Sequence, residues 1–294
     1  MLTTAREPAG QIRRSRLPER RPHPEDHSVS SPEALGATRS FAIANFKGGV
    51  GKTTVTLNLG ACWAEQGKRV LLVDLDPSGN LTETLLTAPI DDATTPSVYD
   101  LLRHDDPLPL QRVVRQVALR RLQLDLAPAG RRLASVRYFI RDDPDWGHAL
   151  ARTLAPARHY DVIAIDCPPE TAGVFTTLAL GAATDALVVL QPEGGALSGT
   201  SEMNRHVEGM RRVNPALARR RMVVNMFDGR TALGRMMVEE LRGRFAADLC
   251  ATVVPRTVRL AEAMIEGVPA IEYDPTGPSA DAFRRLAAEL WRID

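Results

Sequence analysis

A glycine-rich segment between an apolar run and a helix-forming run constrains this chain more than any other feature. It reads Phe-Lys-Gly-Gly-Val-Gly-Lys-Thr-Thr over residues 46–54 and follows the apolar run 41–45. Glycines let successive backbone N–H groups turn toward a phosphate, and a helix that starts at the loop adds the positive end of its dipole. Strand, loop and helix in this order predict a phosphate-binding loop in an α/β fold.

The loop also departs from the ordinary Walker A pattern G-x-x-x-x-G-K-[ST], because Phe46 stands where the first glycine belongs. From their places in the loop, Lys52 is expected to reach the β- and γ-phosphates of ATP. Thr53 is expected to ligate Mg²⁺, and Thr54 to contact the α-phosphate. The backbone cradle is expected to come from Gly48, Gly49, Val50 and Gly51.

Lysine is rare in this chain, which makes its placement informative. Only Lys47, Lys52 and Lys68 are lysines among the 37 Lys and Arg residues, and two of the three lie in the loop. Because lysine is a compact point charge suited to phosphate, the presence of two lysines in the loop favours a phosphate-binding role.

Two acidic segments follow apolar runs further along the chain. The first is Asp-Leu-Asp-Pro-Ser-Gly-Asn over 74–80, and the second is Asp166 before Cys-Pro-Pro. An isolated aspartate at a strand end is often a helix cap, but downstream of a phosphate loop both segments indicate catalysis. Asp76 is the candidate for orienting the attacking water, and Thr53, Asp76 and Asp166 are the candidate magnesium site.

The apolar runs predict a doubly wound, mostly parallel α/β sheet of the P-loop NTPase type. A helix over 52–66 is expected to end at Gly67, and a short one is expected over 98–102. The stretch 107–146 shows no clean periodicity. Strands are predicted at 41–45, 70–75, 162–166, 186–191, 222–226 and 251–254.

Composition predicts one domain over 39–294, which contains the phosphate loop, behind a basic Pro/Arg-rich tail over 1–38. The tail is either a solvated extension or an auxiliary binding arm. Net charge is +1, so any nucleic-acid contact requires a local patch. The three cysteines lack metal-site spacing, and no apolar run approaches the roughly 18 residues of a membrane span. A cytoplasmic protein is expected.

These motifs resemble the ParA/MinD family of deviant Walker ATPases, and within it the Soj-like ParA branch that partitions DNA. The resemblance is collinear over about residues 40–290. Its segments are Lys47–Thr54, Leu71–Leu81, Val162–Pro169, Met226–Gly234, Val253–Ala263 and Pro269–Asp274.

The resemblance implies an ATP-dependent sandwich homodimer in which Lys47 reaches the nucleotide of the other subunit. It also implies adenine contacts at Asn225 and Pro255, and non-specific DNA binding through Arg256 and Arg259. A ParB-like partner would stimulate hydrolysis, and the protein would be associated with the nucleoid. Three departures from the family pattern stand out: Ser78 in place of Gln, Glu170 after Pro-Pro, and Gly194-Gly195.

Three alternatives remain at this stage. The same switch could position a protein cargo, such as a carboxysome or a chemotaxis cluster. A MinD-like ATPase would use an amphipathic C-terminal helix at a membrane, but the apolar residues Phe283, Leu286 and Leu290 fit the last core helix better. A nitrogenase-iron-protein-like ATPase would need cluster-binding cysteines, and Cys167 and Cys250 have no nearby partner.

Overall fold

An eight-stranded sheet organises the computed structural model, which describes residues 38–170, 172–193 and 196–292. The strand order is β3-β4-β2-β5-β1-β6-β7-β8, and every neighbouring pair is parallel except β3 and β4. The strands are β1 Arg39–Ala44, β2 Val70–Asp74, β3 Arg115–Ala118, β4 Gln123–Ala127, β5 Val162–Asp166, β6 Asp185–Leu190, β7 Arg219–Phe227 and β8 Leu249–Pro255.

Helices cover both faces of this sheet, with one apolar cluster on each face. They are α1 Lys52–Glu65, α2 Asn80–Leu85, α3 Val98–Leu102, α4 Leu110–Val113, α5 Val136–Phe139, α6 Ala149–Leu154, α7 Val174–Ala182, α8 Ala196–Val213, α9 Ala232–Phe245, α10 Val258–Ile265, α11 Ala270–Tyr273 and α12 Pro278–Trp291. Short 3₁₀ turns lie at Arg131–Ser135, Ile140–Asp142, Trp146–His148 and Ala155–Ala157.

The doubly wound architecture predicted from the apolar runs is confirmed. All six predicted strands are present, with ends shifted by a few residues, and α1 begins directly at the glycine loop. Gly67 follows α1 with a φ of 80°, a left-handed conformation that glycine adopts without strain. Because β1, β2 and β5 are central and parallel, their carboxyl ends bring the loop and both acidic segments to one edge of the sheet.

The stretch without periodicity contains the antiparallel pair β3 and β4, which was not predicted from the sequence. Its turn lacks the Asn-Gly or Asp-Gly signal of a tight hairpin. Instead Glu272, from α11, accepts hydrogen bonds from the backbone N–H groups of Arg120 and Arg121 at 2.9 and 2.8 Å. A residue about 150 positions away therefore stabilises the turn, which explains why local sequence did not reveal it.

The last helix, α12, packs in the core as expected. Phe283 and Leu286 are fully buried, and the indole N–H of Trp63 on α1 donates to the carbonyl oxygen of Ala287. Within residues 38–170, 172–193 and 196–292, no helix has the length and apolar character needed to cross a membrane. The tail predicted over 1–38 lies, apart from Thr38, outside the described residues.

Replacing Phe283 with alanine tests this docking of α12. The lost burial and the cavity left behind are expected to lower the free energy of unfolding by about 3–5 kcal/mol. Val258→Ala, at a side chain that is 74% exposed, is the control and should change it by less than about 0.5 kcal/mol. Urea unfolding of both variants measures the difference, and equal effects would show that α12 is not docked in the core.

Candidate active site

The glycine loop is shaped by two residues with positive φ. Gly49 has a φ of 76° and Gly51 a φ of 88°, a region that side chains other than glycine rarely occupy. A Cβ at Gly51 would lie 2.3 Å from the side-chain nitrogen of Asn225, so β7 approaches the loop too closely for a side chain there. Gly48 and Gly49 are solvent exposed, which leaves the inner surface of the loop open to a ligand.

Lys52 is buried at the start of α1, and its Nζ donates to the carbonyl oxygen of Lys47 at 3.2 Å. Burial lowers the pKa of this ammonium, while Asp166, Cys167 and Asp76 oppose the shift. The bond places the charged head inside the curve of the loop, where a phosphate would replace the carbonyl as its partner.

A hydroxyl and a carboxylate meet beside Lys52. Thr53 Oγ1 donates to Asp166 Oδ2 at 2.7 Å, and Thr56 Oγ1 lies 3.2 Å from Asp166 Oδ1. Asp166 is fully buried, so burial raises the pKa of its carboxyl, and the neighbouring Asp74 raises it further. This pair brings together two of the residues predicted to hold Mg²⁺.

The aspartates of the 74–80 segment have different surroundings. Asp74 is fully buried and accepts from the backbone N–H and the hydroxyl of Thr82, at 2.9 and 2.7 Å. Asp76 is 9% exposed, and its Oδ1 accepts from the backbone N–H of Ser78 at 2.8 Å. Asp74 therefore holds the segment in place, and the hydrolytic role predicted for Asp76 stays a prediction.

Lys47 points away from the loop of its own chain. Its Nζ pairs with Glu193 at 3.0 Å, and the two side chains are 51% and 48% exposed. Asn45 Oδ1 accepts from the backbone N–H of Lys47 at 3.0 Å and fixes where this side chain leaves the loop. Lys47 is thus near the phosphate loop, yet its charge is directed outward.

The site has an unfilled acceptor suited to a nucleotide base. Asn225 is fully buried on β7, and its nitrogen donates to the carbonyl oxygen of Val50 at 2.8 Å. Its Oδ1 has no hydrogen-bond partner in the structure. A buried amide oxygen without a donor is costly, and the exocyclic amine of adenine would supply one. Pro255 pairs with Phe227 at the end of the adjacent strand β8.

The protein ligands for a metal are few. Among the described residues, no group of three or more His, Cys, Asp or Glu side chains could hold a metal ion. Thr53 and Asp166 nevertheless offer hard oxygen atoms, and Mg²⁺ commonly takes one or two protein ligands together with phosphate oxygens and water. The residues present therefore fit magnesium that arrives with a nucleotide.

The predicted DNA-binding residues lie in different surroundings. Arg256 is exposed, and no ion pair of its side chain is found within the described part of the chain. Arg259 lies 3.1 Å from Glu262 and 3.7 Å from Asp274, so part of its charge is already balanced. Other arginines of the carboxyl-terminal half also form ion pairs, namely Arg211, Arg219, Arg220, Arg242 and Arg244.

The cysteines do not form a cluster site. Cys62, Cys167 and Cys250 are all buried and unbonded, and burial raises the pKa of Cys62 and of Cys250 to about 12. Buried thiols of this kind are chemically inert. This arrangement gives no support to the iron–sulfur alternative.

Sequence reasoning missed three polar residues of this region: Thr56, Thr82 and Glu193. Thr56 lies one helical turn after Lys52, where a second hydroxyl facing β5 could have been recognised from helical spacing. Thr82 and Glu193 gave no such signal, since each meets its partner only through the fold.

Comparison with known proteins places the chain in a family. The family model described as an AAA domain matches residues 38–219. The chromosome partitioning protein ParA of Myxococcus xanthus is 37% identical over 87% of this chain and 89% of its own length. The sporulation initiation inhibitor protein Soj of Bacillus subtilis is 39% identical over 85% of this chain and 97% of its own.

Solved structures with bound nucleotide are also similar to this chain. A cobyrinic acid a,c-diamide synthase from Mycobacterium smegmatis, with an ATP analog and magnesium bound, is 32% identical with a TM-score of 0.73, covering 87% of this chain and 95% of that one. The septum site-determining protein MinD of Pyrococcus horikoshii, complexed with Mg-ADP, is 26% identical with a TM-score of 0.68, covering 87% and 96%. With its phosphate loop, its acidic segments and these relatives, the chain belongs to the Soj-like ParA branch of the ParA/MinD family of P-loop ATPases.

Proposed function

We propose that this chain is a partitioning ATPase in which Mg²⁺ and ATP assemble a homodimer that binds DNA and is released by hydrolysis. The observation that carries the proposal is the 2.7 Å bond between Thr53 and Asp166 beside the Lys52 ammonium. A hydroxyl, a carboxylate and a lysine held at a glycine loop form a site for a magnesium-bound triphosphate.

The nucleotide would be held by the loop from Gly48 to Thr54. Backbone N–H groups of Gly48, Gly49, Val50 and Gly51 would surround the phosphates, and Lys52 would exchange its bond to the Lys47 carbonyl for a phosphate oxygen. Asn225 Oδ1 and Pro255 would contact adenine. Thr53 and Asp166 would hold Mg²⁺, with Asp76 nearby, and the ion would neutralise phosphate charge.

Dimerisation is supported by the position of Lys47. Its outward ion pair with Glu193 is half exposed, and exposed pairs of this kind contribute only about 0–1 kcal/mol. Lys47 can therefore leave Glu193 at little cost when a second subunit presents a nucleotide. In that arrangement Lys47 acts across the interface as an arginine finger does in other phosphoryl-transfer enzymes.

The cargo is proposed from the relatives. The most similar proteins named above include a chromosome partitioning protein, which favours DNA as the cargo and a ParB-like protein as the activator. DNA binding through Arg256 and Arg259 would be non-specific and sensitive to salt, because it neutralises phosphates without reading bases. A protein cargo would require only a different adaptor protein.

The hydrolytic role of Asp76 is tested by Asp76→Ala. Loss of the carboxylate that orients water is expected to lower kcat at least about 100-fold while ATP binding is kept. The variant should then remain dimeric and bound to DNA in ATP, as measured by turnover and by light scattering. Normal turnover in this variant would exclude the role.

The DNA surface is tested by Arg256→Glu combined with Arg259→Glu. In co-sedimentation with ATP, ADP or no nucleotide, the wild-type chain should bind DNA only with ATP and should not bind anionic liposomes. The double variant is expected to lose at least about tenfold in DNA affinity, mostly through Arg256, since Arg259 is already paired.

The matched control carries Arg112→Glu and Arg158→Glu, the same charge change at two exposed positions, one on α4 and one shortly before the amino end of β5. It should bind DNA as the wild-type chain does. Unchanged DNA retention in the Arg256/Arg259 variant would show that the surface is elsewhere, and ATP-dependent liposome binding would favour a MinD-like switch.

A further inference from the structure

Glu170 is one of the residues at which the sequence departs from its family, and its carboxylate has a defined structural role. Its Oε1 accepts from the backbone N–H groups of Phe175 and Thr176, at 2.7 and 3.0 Å. These are the second and third residues of α7, and Gly173, which precedes the helix, provides no side-chain cap. Glu170 therefore caps α7 from outside the helix, at the end where a negative charge is favoured by the helix dipole.

Ala172 and Gly173, which directly precede α7, have features that fit this contact. Ala172 has a φ of 46°, a conformation that costs energy for any residue except glycine. A Cβ at Gly173 would lie 2.0 Å from Cδ of Glu170, so the carboxylate occupies the space that a side chain at 173 would need. Glu170 and Gly173 are thus matched to each other.

The same loop lies next to the phosphate loop. A Cβ added at Gly48 would lie 3.7 Å from Cβ of Pro169, so Pro169 lies beside Gly48 with room for a methyl group between them. Pro169 directly precedes Glu170, and Asp166, which bonds Thr53, lies at the start of the same short loop. Glu170 lies four positions after Asp166 in the chain. The cap on α7 is therefore close in sequence to the proposed magnesium site, and Pro169 brings the same loop beside the glycine loop.

We propose that Glu170 is a positioning residue for ATP hydrolysis. Its cap anchors the loop after β5 to α7, which keeps Pro169 beside Gly48 and Asp166 in its bond with Thr53. Without it, the two amides of α7 lose their acceptor and the loop gains freedom next to the site. This inference rests on the proposed ATPase site and adds a residue that no family motif supplies at this position.

The experiment is a double-mutant cycle with Glu170→Ala and Gly173→Ala. A methyl group at 173 is expected to displace the flexible carboxylate, so each single variant should lose the same cap. Each is expected to lower kcat about five- to tenfold, with the KM for ATP changed less than about twofold, since the cap does not touch the nucleotide. The double variant should be no slower than either single variant, because the second change removes nothing further.

Two further variants separate positioning from general stability. Glu170→Gln keeps an oxygen acceptor and should retain at least about half of the wild-type kcat. Glu272→Ala removes the same kind of contact, a carboxylate that accepts from two consecutive backbone N–H groups, but at the β3–β4 turn. It should lower the Tm by about 2–4 °C, as Glu170→Ala does, and leave kcat unchanged.

Amide hydrogen exchange of the nucleotide-free protein gives a readout that does not need activity. Protection of the Phe175 and Thr176 amides should fall in Glu170→Ala and in Gly173→Ala, and remain in Glu170→Gln. Any of three results would overturn the proposal. The first is unchanged protection of the Phe175 and Thr176 amides in Glu170→Ala. The others are a fall of kcat in the double variant that equals the two single falls combined, and a fall of kcat in Glu272→Ala as large as that in Glu170→Ala. If the wild-type chain does not hydrolyse ATP, the proposed function is contradicted instead. Hydrogen exchange then still tests whether Glu170 caps α7.

Discussion

The contacts of Asp166 with the hydroxyls of Thr53 and Thr56, at 2.7 and 3.2 Å, are the ones on which the rest of the site depends. They join the first turn of α1 to the end of the central strand β5, and the glycine loop lies between them and β1. The carboxylate is fully buried next to Asp74, also buried, so it is stable only while hydroxyls and a nearby cation offset its charge. Lys52 supplies part of that charge, and a magnesium nucleotide would complete it.

The need to satisfy buried carboxylates also explains the polar contacts around Asp74. Asp74 accepts from Thr82, whose hydroxyl in turn accepts from the backbone N–H of Ala129, so the acidic segment is tied to the end of β4. Asp76 lies two residues beyond this anchor, and its carboxylate accepts from the backbone N–H of Ser78. The backbone N–H of Asp76 also donates to Asp74 Oδ1 at 3.2 Å, so the buried Asp74 fixes where Asp76 lies relative to the strand.

Much of the fold follows from local sequence, because β1, β2, β5 and β6 each contain a continuous apolar run that is followed by a polar residue. The glycine loop, the helix α1 and the meeting of Thr53 with Asp166 could be predicted for this reason. The β3–β4 turn could not, because Glu272 stabilises it from far along the chain. The partner of Lys47 could not either, since Glu193 approaches it only after β6 pairs beside β1.

The central claim is that Lys47 completes the site of another subunit. Mixing two inactive variants, Lys47→Ala and Asp76→Ala, tests it directly, because both keep Lys52 and the rest of the loop. If Lys47 acts across the interface, a mixed dimer contains one site with Asp76 from one chain and Lys47 from the other, and ATP hydrolysis reappears on mixing. If the mixture stays as inactive as each variant alone while mixed dimers form, Lys47 acts within its own chain and the account is wrong.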